Sequence, residues 1–245
     1  FQTIFNAKNA RLTYTLLLSK TIQGNFEFVS KARKDIFHAA YPKFVSSDNN
    51  ISINGFGQDL TYTGGFTLEG RNIFSTSARP GSLAALTGIK EDETAFKVRS
   101  SRFVLSDSLI SANNVQLSLY MGENDSLYHS DLQFKYIKKD HAIQMVRDRN
   151  TTAGNMPFIN NYHAFYIEAD VIKYDLERDS MDIYMLSGAQ ELRPAIFESF
   201  DFFNKDRYNQ LIGIYDFHPI KLFYQVCPKC GYHQFLCSGT GLKFS

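Results

Sequence analysis

Apolar and polar residues alternate along most of this chain, and this period of two limits the fold more than any other feature of the sequence. In residues 114–121, Val115, Leu117 and Leu119 share one face, and the residues between them are Gln, Ser and Tyr. Successive side chains of a β-strand point to opposite faces of the sheet, so the alternation predicts strands with one buried face. The same pattern recurs in residues 132–137, 162–174 and 181–186.

Short polar breaks separate the alternating segments, at residues 122–125, 138–141, 176–179 and 187–188. Such breaks are typical of hairpins and tight corners. We therefore predict an all-β protein of antiparallel sheets, stacked as a β-jellyroll or in a β-solenoid-like array, with little helix. The predicted strands lie near residues 60–69, 95–105, 114–121, 131–137, 142–147, 164–174 and 181–186.

Helical spacing of apolar residues is present in only two places. We expect a short helix within residues 198–210 and either a helical turn or a loop within residues 30–40. Neither segment changes the predicted fold class.

Three stretches resemble one another: SRFVLSDSLISANNVQLSLYMG, HAFYIEADVIKYDLERDSMDIYML and, more loosely, FGQDLTYTGGFTLEGRNIF. Repeats of about 25–45 residues that stack on one another bury a continuous apolar interior. This interior has two interpretations, which are ordinary core packing and an apolar groove that holds a lipid chain. The residues concerned are Val115, Leu117, Leu119, Leu132, Phe134, Ile167 and Val171.

Composition excludes several classes of protein and suggests the domain organisation. The 245 residues carry 26 basic and 25 acidic side chains, a balance that gives no basic face for nucleic acid. Residues 1–226 contain no cysteine and form the predicted β-rich domain, either single or as two stacked units that divide near residue 90. Residues 227–245 form a cysteine-containing tail. Because the chain begins at Phe1 without a methionine, we expect a fragment or a processed product.

The stretches GQDLTYTGGFTLEG, FKVRSSRFVLSDSLISANNVQLSLYMGENDSLYH and PFINNYHAFYIEADVIKYD resemble the large β-repetitive envelope proteins of Gram-negative bacteria. The element ADVIKYDLERDSMDIY is also similar to the repeat of the OstA-like lipopolysaccharide-transport group, whose members form open β-jellyroll bridges across the periplasm. The resemblance covers residues 40–225 and rests on patterns of strand and turn. It implies a periplasmic or outer-membrane-associated protein that contacts other envelope proteins through open strand edges.

All three cysteines lie in the segment CPKCGYHQFLC near the end of the chain. Cys227, Cys230, His233 and Cys237 give the order C-x2-C-x2-H-x3-C, a ligand set that suits tetrahedral zinc. The spacers are shorter than those of a zinc knuckle, and the second knuckle of a zinc ribbon is missing. The alternative is a flexible tail with free thiols or one disulfide. We favour this alternative and expect no cofactor.

Two groups of polar residues are candidates for chemistry. His163, Glu168 and Asp170 are close in sequence, but alternation puts His163 on one face and the two acids on the other. We therefore expect a packed or hydrogen-bonded histidine and a solvated acidic face. Five aspartates fall at predicted corners, where capping of the backbone accounts for them, whereas a glycosidase would need two of them about 5–9 Å apart. They are Asp107, Asp125, Asp131, Asp175 and Asp179.

Two further features have structural and functional interpretations. Gly64 and Gly65 are not followed by the helix that a phosphate loop requires, so we expect them to let a strand bulge or turn a corner. Aromatic residues make up 15% of the chain, and most of them must fill the core. Outward-facing tyrosines would instead form a platform for sugars or for another chain. The candidates are Tyr120, Tyr166, Tyr174 and Tyr184.

No arrangement of titratable residues in the sequence indicates a reaction, and we predict no enzyme activity. The predicted function is a non-catalytic scaffold or bridge segment of the cell envelope, with partners that pair with its open strand edges and with lipid or glycan as its candidate ligands. The alternative is a carbohydrate-binding or carbohydrate-active β-sandwich. That alternative requires a solvent-facing aromatic platform or a close pair of carboxylates.

Overall fold

The structure is a computed structural model that describes residues 3–30, 39–53, 59–79, 81–122, 125–186 and 192–200, together with Lys205 and Asn209. The chain divides into two compact units, Phe1–Phe200 and Asp201–Ser245. All the described strands belong to the first unit, and Lys205 and Asn209 of the second unit are helical. Within the described ranges, no helix is long and apolar enough to cross a membrane.

The described residues of the first unit form nineteen strands. They are β1 Ile4–Leu12, β2 Ile22–Val29, β3 Lys43–Ser46, β4 Ile51–Ile53, β5 Leu60–Gly64, β6 Thr67–Glu69, β7 Asn72–Phe74, β8 Ala84–Lys90, β9 Glu93–Ser100, β10 Phe103–Leu105, β11 Leu109–Tyr120, β12 Ser126–Ile137, β13 Ala142–Arg147, β14 Phe158–Asn160, β15 Phe165–Glu168, β16 Val171–Asp175, β17 Ser180–Leu186, β18 Leu192–Pro194 and β19 Ile196–Ser199.

All strand pairs are antiparallel, and they join the nineteen strands into one sheet that does not close into a barrel. The pairings divide this sheet into two halves. Half A contains β1-β2-β3-β6-β7-β10-β11-β12-β13-β16-β17-β18, in that order. Half B contains β4-β5-β8-β9-β11-β12-β14-β15-β19. The two long strands β11 and β12 belong to both halves and form the hairpin from which each half extends.

The chain passes repeatedly from one half to the other, and the phase of the apolar pattern shifts at these crossings. In β9 the buried residues Phe96, Val98 and Ser100 occupy even-numbered positions. In β10 the buried residues occupy odd-numbered positions, beginning at Phe103. In β11 the register shifts between Ala112 and Val115. Side chains point alternately to opposite faces along a strand, so an odd number of residues at a bend changes which positions point inward. With this change, the apolar side chains point to the interior on both sides of the bend.

We call the line through these crossings the fold line. It is lined by buried polar residues, which are Ser46, Ser75, Ser100, Asp131, Arg147 and Asp170.

Two crossings use the same pair of hydrogen bonds between a serine and a phenylalanine. The Ser46 N–H donates to the Phe66 carbonyl at 2.9 Å, and the Phe66 N–H donates to Ser46 Oγ at 3.0 Å. Ser75 and Phe103 repeat this exchange at 3.1 Å and 2.7 Å. A bend interrupts the backbone ladder, and a buried N–H that loses its partner is costly. The serine hydroxyls therefore replace the missing backbone acceptors.

The interior between the two halves is packed with apolar and aromatic side chains. Phe96 of half B lies 6.4 Å from Phe134 and 6.0 Å from Tyr136 of half A, measured between ring centroids. All three residues are at most 3% exposed. Gly88 pairs with Phe96 across the β8–β9 ladder, and a Cβ atom at this glycine would lie 2.0 Å from Cε1 of the phenylalanine ring. The ring therefore occupies the space that a side chain would need.

The prediction of an all-β, antiparallel protein with little helix is confirmed. Three predicted strands are each divided in two, because the chain changes halves within them: 60–69 into β5 and β6, 95–105 into β9 and β10, and 164–174 into β15 and β16. The expected helix within 198–210 is wrong at its start, since Glu198 and Ser199 pair with β15 as part of β19. Most of the other helix candidate, residues 31–38, lies outside the described residues.

The compact units differ from the expected domain organisation. Residue 90 ends β8, which forms one hairpin with β9, and the chain divides after Phe200. The predicted division near residue 90 therefore falls inside a hairpin, and the predicted boundary at residue 226 falls inside the second unit.

Replacing Gly88 with alanine tests the packing between the halves. The new methyl group must displace the buried Phe96 ring, and overpacking of this kind costs about 1–3 kcal/mol. We expect the free energy of unfolding to fall by this amount in chemical denaturation. Gly122→Ala is the matched control, because the nearest atom to its Cβ is Asp125 Oδ2 at 4.0 Å. Equal stability of the two variants would contradict the packing described here.

Candidate functional site

A buried polar network lies on the fold line where β11 pairs with β12. Asn114 Nδ2 donates to Asp131 Oδ1 at 3.0 Å, and Thr151 Oγ1 donates to Asp131 Oδ2 at 2.7 Å. Asn114 has a φ of 51°, a left-handed conformation that asparagine adopts more readily than most residues. The network therefore stabilises the bend of the two long strands. Through Thr151, it also connects this bend to the loop that follows β13.

His129 is part of this network and is held as a neutral imidazole. Its Nε2 atom lies 2.8 Å from the Met156 carbonyl oxygen, which can only accept, and its Nδ1 atom accepts the Asp131 N–H at 3.0 Å. Burial lowers the pKa of His129, and the positive charge of Arg147 acts in the same direction. A proton on Nδ1 would break the bond to Asp131. This geometry suits a structural histidine better than one that transfers protons.

Arg147 is the second ionisable group of the network, and its side chain is 2% exposed. Its Nη1 atom donates to the Met156 carbonyl at 3.0 Å, and Nη2 lies 3.8 Å from Glu168 Oε2. Its Nε atom has no hydrogen-bond partner among the described residues. Burial lowers the pKa of Arg147, and the Glu168 carboxylate opposes this effect. The negative charge of Glu168 therefore stabilises the buried positive charge of the Arg147 guanidinium.

The three residues His163, Glu168 and Asp170 do not converge, as alternation predicted. His163 is exposed and stacks on Phe165, with ring centroids 5.3 Å apart. The expectation of a solvated acidic face is wrong for Asp170, which is 6% exposed. Its carboxylate accepts hydrogen bonds from Arg149 Nε at 2.6 Å and from the Leu186 N–H at 2.8 Å. Asp170 lies at the crossing from β15 to β16, where it replaces lost backbone pairing.

A pocket of about 270 Å³ opens where turns from the two halves meet. Half B contributes the β8–β9 turn and the start of β5, and half A contributes the β12–β13 and β16–β17 turns. We call this the rim pocket. It is lined by Asp59, Leu60, Gly88, Ile89, Lys90, Glu91, Phe96, Tyr136, His141, Leu176 and Glu177.

A contact between the two halves involves Lys90, which lines the rim pocket. Lys90 Nζ lies 3.4 Å from Asp179 Oδ1, and the same oxygen accepts a hydrogen bond from the Tyr174 hydroxyl. The hydrogen bond from Tyr174 and the charge of Lys90 lower the pKa of Asp179, although its limited burial acts in the opposite direction. Lys90 is therefore engaged with an acid that does not line the pocket.

Tyr136 lines the rim pocket and is 3% exposed. Its hydroxyl has no hydrogen-bond partner in the part of the chain that the structure describes. Burial raises the pKa of Tyr136, and the negative charges of Asp59 and Glu177 raise it further. The tyrosine therefore stays protonated and faces a region of negative potential.

The aspartates that the sequence places at corners have different surroundings. Asp175 Oδ1 accepts the N–H groups of Glu177 and Arg178 at 3.0 Å each, which is the capping that we predicted. Asp131 is not at a turn but inside β12, where it is 9% exposed. Its carboxylate stabilises the bend of the sheet, because it accepts hydrogen bonds from the side chains of Asn114 and Thr151. Asp107 and Asp125 lie at turns next to β11 and β12, as expected.

The seven residues proposed as a lipid groove are packed core in the structure. Each is at most 3% exposed, and they come from both halves of the sheet. A lipid chain would have to displace them, so the structure favours the interpretation as ordinary core. They are Val115, Leu117, Leu119, Leu132, Phe134, Ile167 and Val171.

The four tyrosines proposed as an outward platform do not form one surface. Tyr174 is 9% exposed, and Tyr120, Tyr166 and Tyr184 lie on different strands and are half-buried. A different aromatic cluster is exposed at β14, β15 and β19. It contains Tyr162, His163, Phe165 and Phe197, with successive ring centroids 4.5, 5.3 and 5.5 Å apart.

The remaining candidates concern glycine and metal ligands. Gly64 and Gly65 lie at the crossing from β5 to β6, where Cβ atoms would come within 2.5 Å of neighbouring atoms; they turn a corner, as predicted. Cys227, Cys230, His233 and Cys237 lie outside the described residues. Within the described ranges, no group of three His, Cys, Asp or Glu side chains is placed to hold a metal ion.

Sequence reasoning missed His129, Arg147 and the rim pocket. The signal for the first two was available, since Leu127, His129 and Asp131 share one phase of alternation and Leu132 and Phe134 share the other. That change of phase marks a crossing, where buried polar residues are needed. No sequence pattern indicates the rim pocket, because its residues come from turns that are far apart in the chain. Examples are Asp59, Tyr136 and Glu177.

No protein-family model, no curated protein and no solved structure matches this chain. The inference of function therefore depends on the geometry of the described residues.

The titration of His129 makes stability depend on pH. Its pKa is lowered in the folded state, so below about pH 6.5 the unfolded chain binds a proton that the folded chain excludes. We therefore expect the free energy of unfolding to fall as the pH decreases from 7.5 to 5.5. His129→Gln keeps a donor near the Met156 carbonyl but does not titrate. Denaturant unfolding should show a weaker pH dependence for this variant, and an unchanged dependence would contradict the assignment.

Proposed function

We propose that this protein is a non-catalytic scaffold or bridge segment of the cell envelope that joins a neighbouring chain through the free edge of β1. The single observation that carries the proposal is the open sheet. Strand β1 pairs with β2 on one side, and no described strand pairs with its other side. An edge of this kind can accept a strand from another chain.

The first part of β1 is suited to strand addition. Residues Ile4–Ala7 pair with β2 without a shift in register, and Ile4 and Phe5 are 61% and 57% exposed. The Ser30 N–H donates to the Thr3 carbonyl at 2.8 Å. Since inward and outward backbone groups alternate along an antiparallel edge strand, the N–H groups of Ile4 and Asn6 point away from β2.

The second part of β1 is less suited to pairing. The register shifts between Ala7 and Ala10, and Asn9 has a φ of 56°. Lys8 is exposed, and edge charges and bulges discourage pairing between strands. The proposed contact is therefore confined to residues 4–7, which gives the neighbouring chain a defined register.

The polar residues on the fold line support a non-catalytic role. His129 has both ring nitrogens in hydrogen bonds, and the carboxylates of Asp131 and Asp170 are occupied by donors from the same chain. A catalytic group needs a free position for the reacting atom. These groups instead replace backbone hydrogen bonds at the bends.

The placement in the envelope and the jellyroll form are further parts of the proposal. They are supported by the resemblance to OstA-like bridges and by the antiparallel folded sheet. The packed interior gives no support for a lipid ligand, so the proposed contact with neighbours depends on backbone hydrogen bonds and on the exposed apolar side chains of β1.

A carbohydrate-binding role is the second candidate function, and one observation favours it. Tyr162 and Phe197, in the aromatic cluster at β14, β15 and β19, are 56% and 54% exposed. Exposed aromatic rings are a common platform for binding partners. Binding of a polysaccharide panel to the chain, lost in Tyr162→Ala, would favour this function over the bridge.

The substitution Asn6→Pro tests the proposed edge contact. Proline removes the outward N–H and is tolerated on edge strands, so the folded chain should survive while association is lost. We expect the unaltered chain to self-associate with increasing concentration in sedimentation velocity, with a second copy serving as the neighbouring chain. The proline variant should remain monomeric.

The matched control is Phe5→Pro, which removes an N–H that points toward β2. This variant should lower the melting temperature, whereas Asn6→Pro should leave it nearly unchanged. A chain that is monomeric at every concentration, or that associates equally well with Asn6→Pro, would contradict the proposal.

A further inference from the structure

We propose that the rim pocket binds an alkylammonium group, either of a free aliphatic amine or of a lysine side chain on another protein. This site is separate from the β1 edge, and its function does not depend on the proposed bridge. It lies between turns of the two halves and is formed only when the sheet is folded.

The charges at the rim pocket favour a cation. Asp59, Glu91 and Glu177 line it, whereas its lysine, Lys90, is paired with Asp179 at 3.4 Å. His141 Nε2 lies 3.9 Å from Glu177 Oε1, too far for a hydrogen bond. No described residue forms an ion pair with Asp59 or Glu91. The negative charge of the pocket is therefore only partly compensated within the chain.

The side chain of Tyr136 offers the pocket a hydroxyl group that no other described residue occupies. Tyr136 is 3% exposed and lines the pocket, but its hydroxyl has no hydrogen-bond partner among the described residues. The hydroxyl is therefore free to bind a group that enters the pocket. An ammonium group in the pocket would donate one hydrogen bond to the tyrosine oxygen and others to the carboxylates.

The size and walls of the pocket favour an alkyl chain that ends in this ammonium group. The volume of about 270 Å³ is several times the space of one water molecule, about 30 Å³. Leu60, Ile89 and Leu176 supply apolar surface for methylene groups. In the described part of the chain, no three acidic, histidine or cysteine side chains are placed to share one metal ion. An extended organic cation therefore fits the pocket better than a metal ion.

The aromatic residues argue against a sugar at this position. Phe96 and Tyr136 are 1% and 3% exposed, so neither presents a ring face on which a pyranose could stack. The ligand is held by charge and by hydrogen bonds to its end group.

Isothermal titration calorimetry of the full chain tests this proposal with three probes: n-butylamine, 1,5-diaminopentane and a blocked Gly-Lys-Gly peptide. We expect saturable binding that weakens with added salt, because exposed charges are screened. n-Pentanol, which has the chain but no charge, should not bind. Tighter binding of the diamine indicates a free amine as the ligand, and tighter binding of the peptide indicates a lysine side chain.

Substitutions in the pocket provide the controls. Asp59→Asn, Glu177→Gln and Tyr136→Phe should each weaken binding about tenfold, since each removes a hydrogen bond to a charged group. Tyr136→Phe should not lower the melting temperature, because the hydroxyl has no partner to lose. Asp182→Asn, which removes an exposed carboxylate outside the pocket, should leave binding unchanged.

Three outcomes would overturn the proposal. They are no binding of any amine, equal binding by the Asp59→Asn/Glu177→Gln double variant, and binding of Ca²⁺ or of a monosaccharide in place of the amines. Circular dichroism of each variant establishes that the sheet is still folded, so that a loss of binding reports on the pocket alone.

Discussion

The fold depends on how the sheet satisfies its backbone where it bends. A strand that turns a corner loses ladder hydrogen bonds in the interior, and unpaired backbone groups there are costly. Serine hydroxyls replace the missing acceptors at two crossings, opposite Phe66 and Phe103. At the later crossings, the carboxylates of Asp131 and Asp170 accept hydrogen bonds. These polar groups allow one continuous sheet to enclose its own core.

Hydrogen bonds along the fold line engage most of the buried ionisable residues. His129 and Arg147 share the Met156 carbonyl as their acceptor, and both ring nitrogens of His129 are engaged. Among the described residues, Arg147 Nε on the fold line has no hydrogen-bond partner, and the hydroxyl of Tyr136 at the rim pocket has none either. The polar groups that stabilise the bend are therefore separate from the rim pocket and from the edge of β1, where we propose contacts with other molecules.

Strands and turns could be predicted from the sequence because both are local properties. Alternation identified β11, β12, β13 and β17, and the paired glycines indicated the corner after β5. Which half a strand joins was not predictable, since it depends on pairing with residues far away in the chain. The change of phase between Ala112 and Val115 lies at the start of the predicted strand 114–121, and residues 109–113 of β11 were not predicted as strand.

The candidate site was less predictable than the fold. The rim pocket joins Asp59, Tyr136 and Glu177 across distant turns, and no spacing in the sequence relates them. The solvated acidic face was wrong for Asp170 because the chain changes halves at that residue, which turns the carboxylate into the interior. Burial of a polar residue thus followed from the path of the sheet rather than from local composition.

The central claim is that both halves share one core and one fold line and therefore unfold together. Native-state hydrogen exchange of the full chain, followed by mass spectrometry, measures this directly. The account predicts that peptides from β8–β9 in half B and from β13 and β16 in half A open with the same free energy and the same denaturant dependence. If one half exchanged through a separate, lower-energy opening while the other stayed protected, the sheet would be two independent units and the account would be contradicted.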